Sequence, residues 1–297
     1  MSSATTPPGN SDHRNQATAA LRLSLTVFAV VLLGYVFTTE RVDETIRTVL
    51  AVLLFGGLVA GVTKRFSYWV WPLVAITLLV ALLQRPTDVP NHHWMMMYVS
   101  FAISLSCLIG RTDQERLDDL AASTRWLIVV LMGFATVQKL LSPSFMDATY
   151  IGFELARGSF ATPVLKFFSE TYQIVESNNA LVDQLHASPP SELAEVTLPP
   201  PYPGLTYLAY GFTAAIIGME AWLFACMVWL PKRVMTHLSL IAFAGTLAVL
   251  RQEFTFISVV CTLGLLSCGG NHKWVRLIYV VLAILTAAAV LKTLNVG

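Results

Sequence analysis

Between Ala20 and Lys292 the chain falls into nine apolar segments, each near the length a helix needs to cross a bilayer. A span takes about 20 apolar residues. By that ruler the segments run at about 20–38, 48–63, 67–84, 92–110, 122–141, 205–230, 234–250, 253–268 and 274–292. Backbone polar groups inside hydrocarbon must be satisfied within the protein, which a helix does within its own segment. The expected fold is therefore all-α: a polytopic integral membrane helical bundle with about nine transmembrane helices.

Composition agrees. Only 12% of the 297 residues are charged and 55% are hydrophobic, whereas soluble domains carry about 25% charged residues. A net charge of +1 supplies no field to attract a polyanion, so no nucleic-acid partner is expected. Cys107, Cys226, Cys261 and Cys268 all lie in apolar runs without a CxxC pair or a histidine at zinc-ligand spacing. They read as packing residues, and no metal site is expected.

Residues 1–17 are polar and rich in Ser, Thr, Pro and Asn, which predicts a disordered tail. Residues 18–142 would hold transmembrane helices one to five, and residues 205–297 helices six to nine. Between them, residues 143–204 form the one long loop. Its first part, Phe145 to Thr171, spaces its aromatic residues as a helix lying on the membrane surface would. Its second part, Ser188 to Pro203, carries six prolines and reads as an extended strap. With the N-terminus cytoplasmic, nine Lys and Arg fall in inside loops against six outside. The long loop and the C-terminus are then external.

Ionisable groups inside a membrane are costly, so each is a functional candidate. Lys139, after Gln138 at the outer end of the fifth segment, reads either as an interfacial snorkelling lysine or as a desolvated amine able to act as a base. Asn91-His92-His93-Trp94 opens the fourth segment, either as an interfacial cap or as a neutral imidazole facing a substrate oxygen. Arg251-Gln252-Glu253 separates the seventh and eighth apolar stretches and reads as a polar turn or as an anion-orienting element; a continuous 35-residue helix is the alternative. Glu220 lies near the middle of the sixth segment, where a carboxyl must be protonated or paired. A Lys139–Glu220 pairing is one solution, but 81 residues separate the two and the sequence does not specify it.

These residues come in a familiar order. Asn91-His92-His93 opens one span, Gln138-Lys139-Leu140 closes the next, Ser144-Phe145-Met146 with Tyr150 and Phe153 follows outside, and a helix pair breaks at Arg251-Gln252-Glu253-Phe254. Over roughly residues 20–290 the order resembles the membrane part of vitamin K-dependent gamma-carboxylases and the wider HTTM family of bacterial membrane proteins. The resemblance implies a reduced quinone as cofactor, with oxygen and carbon dioxide as co-substrates of a carboxylating carbon–carbon lyase. It also implies Lys139 as the base that deprotonates the quinol, with His92 or His93 beside it. Asn91, Gln138, Glu220, Arg251, Gln252 and Glu253 would line the pocket. The chain departs from the animal enzymes in having only its loop outside the membrane, and in Leu247-Ala248-Val249-Leu250 where the family often shows a histidine.

Location in a bacterial inner membrane follows from the same likeness, and a small secreted peptide is a partner such a protein would meet. Two other function classes are carried forward. One is a non-catalytic accessory, immunity or sensing protein; the other is a small-solute transporter.

Overall fold

The computed structural model describes residues 9–39, 42–62, 69–84, 91–187, 198–270 and 272–294. The described residues form helices and connecting turns, without a strand. The helices are α1 (Gly9–Thr38), α2 (Glu44–Val62), α3 (Val70–Gln84), α4 (Asn91–Ile109), α5 (Asp113–Leu141), α6 (Pro143–Met146) and α7 (Thr149–Ala156). There follow α8 (Thr162–Leu165), α9 (Ser169–Ala187), α10 (Leu205–Trp229), α11 (Val234–Leu250), α12 (Phe254–Ser267) and α13 (Lys273–Leu294).

Among the described residues, five stretches are long and apolar enough to cross a membrane: Asn15–Thr38, His92–Ile109, Asp113–Leu141, Leu205–Trp229 and Lys273–Lys292. The chain is thus an integral membrane protein by length and composition. Three further apolar helices are shorter, Val70–Gln84, Val234–Leu250 and Phe254–Ser267.

Helix starts follow local chemistry. Thr112 and Glu115 build a capping box at the head of α5: the Glu115 N–H donates to Thr112 Oγ1 at 3.2 Å, and Glu115 Oε2 accepts from the Arg111 and Thr112 N–H groups at 2.8 and 3.3 Å. The cap carries α5 nine residues ahead of the apolar stretch that begins at about 122. Asp43 accepts from the Thr45 N–H at 2.9 Å and opens α2 in the same manner. At the other end of the sequence scale, α1 already begins at Gly9, so residues 9–17 are helical and not the disordered tail expected there. Residues 1–8 of that expected tail lie outside the described residues.

The chain divides into two compact units. Unit 1 comprises residues up to Ile128, Trp229–Ala244 and Phe254 onward. Its centre is α12, where every residue from Ile257 to Leu266 is buried. A helix apolar all round must be enclosed, and α1, α4 and α13 pack against it. Gly264 makes the closest of these contacts possible, because a Cβ there would strike the Tyr279 ring of α13. Arg276 of α13 is buried and donates to the Ala20 carbonyl of α1 at 2.9 Å.

Unit 2 comprises Val129–Val228 and Gly245–Glu253. The stretch expected as one surface helix, Phe145 to Thr171, is instead broken into α6, α7, α8 and the start of α9. With positive φ, Ala148 turns the chain between α6 and α7, and Gly158 and Ala161 turn it between α7 and α8. The broken pieces let Phe145, Ile151, Leu155 and Phe160 converge on Ala209, Phe212 and Ile216 of α10 in one apolar cluster. Helix α9 was not expected; its mostly polar composition hides it from a hydropathy reading. Of the expected strap, residues 188–197 lie outside the described residues, and Pro199 accepts a 3.0 Å hydrogen bond from Asn178.

Candidate functional site

The candidate site lies in unit 2, where α5 and α10 meet through side chains. Two contacts define their register. The Cβ position of Gly133 faces the Phe224 ring, and Lys139, six residues further along α5, meets Glu220, four residues before Phe224 in α10. Lys139 Nζ donates to both carboxylate oxygens of Glu220, at 2.7 and 2.9 Å. The Lys139 side chain is 21% exposed and that of Glu220 only 8%. The unspecified partner of the mid-segment carboxyl is therefore Lys139, which acts as a hydrogen-bond donor within an ion pair and not as a lone amine. Lys139 Nζ also lies 5.5 Å from the centroid of Phe145, close enough for cation–π attraction. Phe145 in turn stacks on Tyr150, with centroids 5.5 Å apart and planes 24° from parallel.

A second charged group sits at the C-terminal end of α11. Helix α11 ends at Leu250 and α12 begins at Phe254, so the chain breaks at 251–253, and the continuous-helix alternative is set aside. Gln252 takes a positive φ of 53° to make the turn, and its side chain is exposed. The Leu250 carbonyl, left over at the helix end, accepts from the Ala161 N–H at 2.7 Å. Arg251 holds Glu154 of α7 at 2.7 Å and Glu253 at 3.0 Å. Glu154 is buried and also receives Arg157 at 3.5 Å and the Ser159 hydroxyl. Desolvation is the largest influence on the Arg251 guanidinium and acts to lower its pKa; Glu253, Tyr150 and Glu154 together outweigh it and raise it. Charge is balanced within this cluster, which ties the α11 end to α7.

The candidate histidines His92 and His93 belong to unit 1. His93 is fully buried, and both of its ring nitrogens are engaged: Nδ1 with the Tyr35 hydroxyl at 3.0 Å and Nε2 with the Leu78 carbonyl at 2.9 Å. A carbonyl only accepts, so Nε2 carries the proton and Nδ1 accepts from Tyr35. The residue thereby joins α1, α3 and α4. His92 stands edge-on to the same tyrosine, with ring centroids 5.3 Å apart. Asn91 is the first residue of α4, and its side chain is not among those described. Gln138 is exposed.

The structure thus joins Lys139 with Glu220 and Arg251 with Glu253. Sequence reasoning missed Glu154, Tyr35 and Asn178. Glu154 carried a signal, a lone carboxylate between Phe153 and Leu155 in an apolar stretch. Asn178 is buried and donates to the Ala156 carbonyl at 2.8 Å; nothing in its polar surroundings marks it. No group of three or more His, Cys, Asp or Glu side chains that could hold a metal ion occurs among the described residues. No protein family, curated protein or solved structure matches this chain.

Proposed function

We propose that this chain is a multi-pass membrane protein of HTTM type that binds a reduced quinone at its outer face, with the Lys139–Glu220 pair as the proton-handling group. In this proposal all nine apolar segments of the sequence cross or dip into a bacterial inner membrane. The N-terminus is cytoplasmic, and the segment from α6 to α9 is external.

One observation carries the reading: a buried carboxylate paired with a partly accessible ammonium, next to a stacked aromatic pair. The residues fit the headgroup of a quinol. Lys139 spends two of its N–H donors on Glu220, and an ammonium has three. Phe145 and Tyr150 offer flat apolar surface beside it. A bound quinol would supply a phenolic proton and two electrons. Glu220 would accept that proton at a carboxylate oxygen, and the Lys139 ammonium would then face the oxygen left negative. The base role given to Lys139 by the family likeness passes to the pair. Carboxylation with oxygen and carbon dioxide is the fuller form of this proposal.

The test is equilibrium binding of a soluble 1,4-naphthoquinol to the purified full chain, beside Lys139→Ala and Glu220→Gln. At least a tenfold loss is expected in each variant, the scale of a charged hydrogen bond. Equal binding in all three proteins overturns the assignment.

A second reading, a non-catalytic accessory or immunity protein meeting a small secreted peptide, draws on the closed geometry of the pair. Both Glu220 oxygens are already taken by Lys139. Under that reading Lys139→Met with Glu220→Leu leaves the protein's cellular role intact.

A further inference from the structure

Helix α10 is a ruler for depth in unit 2. Its 25 residues rise about 36 Å, somewhat more than the hydrocarbon core of about 30 Å. Exposed aromatic residues stand at both ends, Tyr207 and Tyr210 at the start and Trp229 at the finish, as anchors at two interfaces do. Counting about 20 residues back from Trp229 puts the first boundary near Ala209.

The segment from α6 to α8 packs on α10 at and below that level. A Cβ at Gly152 of α7 would lie 3.8 Å from the Ala209 methyl group. The Phe160 ring meets Phe212 edge-on, with centroids 5.0 Å apart. Ile216, in the same apolar cluster, is about 10 Å deeper than Ala209 by helix rise.

The backbone of this broken segment is closed upon the protein. At its turns the Ala148, Gly158 and Phe160 N–H groups donate to the Phe145, Leu155 and Glu154 carbonyls at 3.2, 3.3 and 3.2 Å. The Ala161 N–H takes the Leu250 carbonyl, and the Ala156 and Gly158 carbonyls accept from the Asn178 amide and the Thr162 hydroxyl. A loop in water has no need of such closure, whereas irregular backbone at membrane depth does.

Outward, the same stretch presents Met146, Tyr150, Phe153, Val164, Phe167 and Phe168 as exposed apolar side chains. Phe167 is 87% exposed and Phe168 60%, side by side at the junction of α8 and α9. A patch of this kind marks an interaction surface. Composition then reverses in α9, where Glu170, Glu176 and Asp183 are exposed and no Lys or Arg occurs from Ser169 to Ala187.

We infer that α6–α8 is a re-entrant element seated in the leaflet that the start of α10 enters, with Phe167 and Phe168 as its lipid-inserted tip. The partner of the patch is phospholipid: acyl carbons meet the two rings, and Lys166 reaches back to the phosphate groups. Helix α9 stands in water. The exposed charges of Asp147 and Lys166 hold the element at the headgroup–acyl boundary, about 5–10 Å in, because neither could lie at the bilayer centre. This surface requires that the chain span a membrane and is independent of the quinol reading.

The experiment places a nitroxide at Phe167→Cys, Phe168→Cys or Asn179→Cys in the full chain, in nanodiscs of phosphatidylcholine and phosphatidylglycerol. Cys107→Ala removes the half-exposed native thiol, and the other three are buried. Oxygen concentrates in lipid, and the nickel complex of ethylenediaminediacetate stays in water. The ratio of oxygen to nickel collisions at Phe167 and Phe168 should exceed that at Asn179 about tenfold, for a tip 5–10 Å inside the boundary. Equal ratios at the three positions overturn the inference, since the patch then faces water. Protection of Phe167 from both reagents also overturns it, since protein, such as a second copy of the chain, then covers the patch. Phe167→Cys should unfold in detergent at the wild-type temperature; earlier unfolding would show a ring packed on protein and end the proposal.

Discussion

The two units treat buried ionisable groups differently. In unit 1 the partners are neutral: His93 meets a tyrosine hydroxyl and a carbonyl, Arg276 a carbonyl and the Ser24 hydroxyl, and His237 the Tyr279 hydroxyl. In unit 2 charge meets charge, at Lys139–Glu220 and at Arg251–Glu154. A neutral contact to backbone fixes one helix against another and has no second state. An ion pair exchanges with any ligand that offers a better charge or hydrogen bond, and removing one partner strands the other. The buried carboxylates Glu154 and Glu220 of unit 2 are thus each held by a cation.

Four experiments would break or sharpen that contrast, and thermal unfolding in detergent reads the first three. Glu220→Leu strands the partly accessible Lys139 ammonium without its carboxylate and should cost about 3 kcal/mol. Adding Lys139→Met should restore most of it, and failure of the rescue would show that the pair is not an isolated charge couple. Gly264→Ala places a methyl group against the Tyr279 ring, and the resulting overpacking should cost about 1–3 kcal/mol, confined to unit 1. Tyr35→Phe removes the donor to His93 Nδ1 and should cost about 1–1.5 kcal/mol. A loss as large as that of Glu220→Leu would erase the distinction between the units.

The smallest effect concerns acid. The Asp147 carboxyl is held below its ordinary range by the side-chain hydroxyl and backbone N–H of Thr149, outside the spanning segments. Its folded value is depressed, so its contribution is complete above the unfolded value of about 3.9 and is lost as pH falls through the lower folded value. Asp147→Asn should flatten that part of the acid-unfolding curve and leave neutral stability nearly unchanged.

Much of the architecture was written in the run lengths. Helices α11 at Val234–Leu250 and α10 at Leu205–Trp229 fall on the apolar segments expected there. Apolarity marks where lipid is, however, and not where a helix begins. That is why the capped polar start of α5, residues 9–17 of α1 and all of α9 were invisible to it. The breaks at Ala148 and Ala161 were equally hidden, because neither residue is a usual breaker and tertiary packing imposes their positive φ. Of the site, Lys139, Glu220 and Arg251 were legible as charges out of place. Their partners were not, because Glu220 is 81 residues from Lys139 and Glu154 is 97 from Arg251.

The enclosure of α12 sets a timetable for biosynthesis. Its neighbours include α1, made early, and α13, made after it. The first helix must therefore linger in the bilayer with its future contact face bare until the ribosome has delivered both late helices. During that interval the surrounding lipid covers the bare face, and the Ser24–Arg276 contact waits for α13, which carries Arg276.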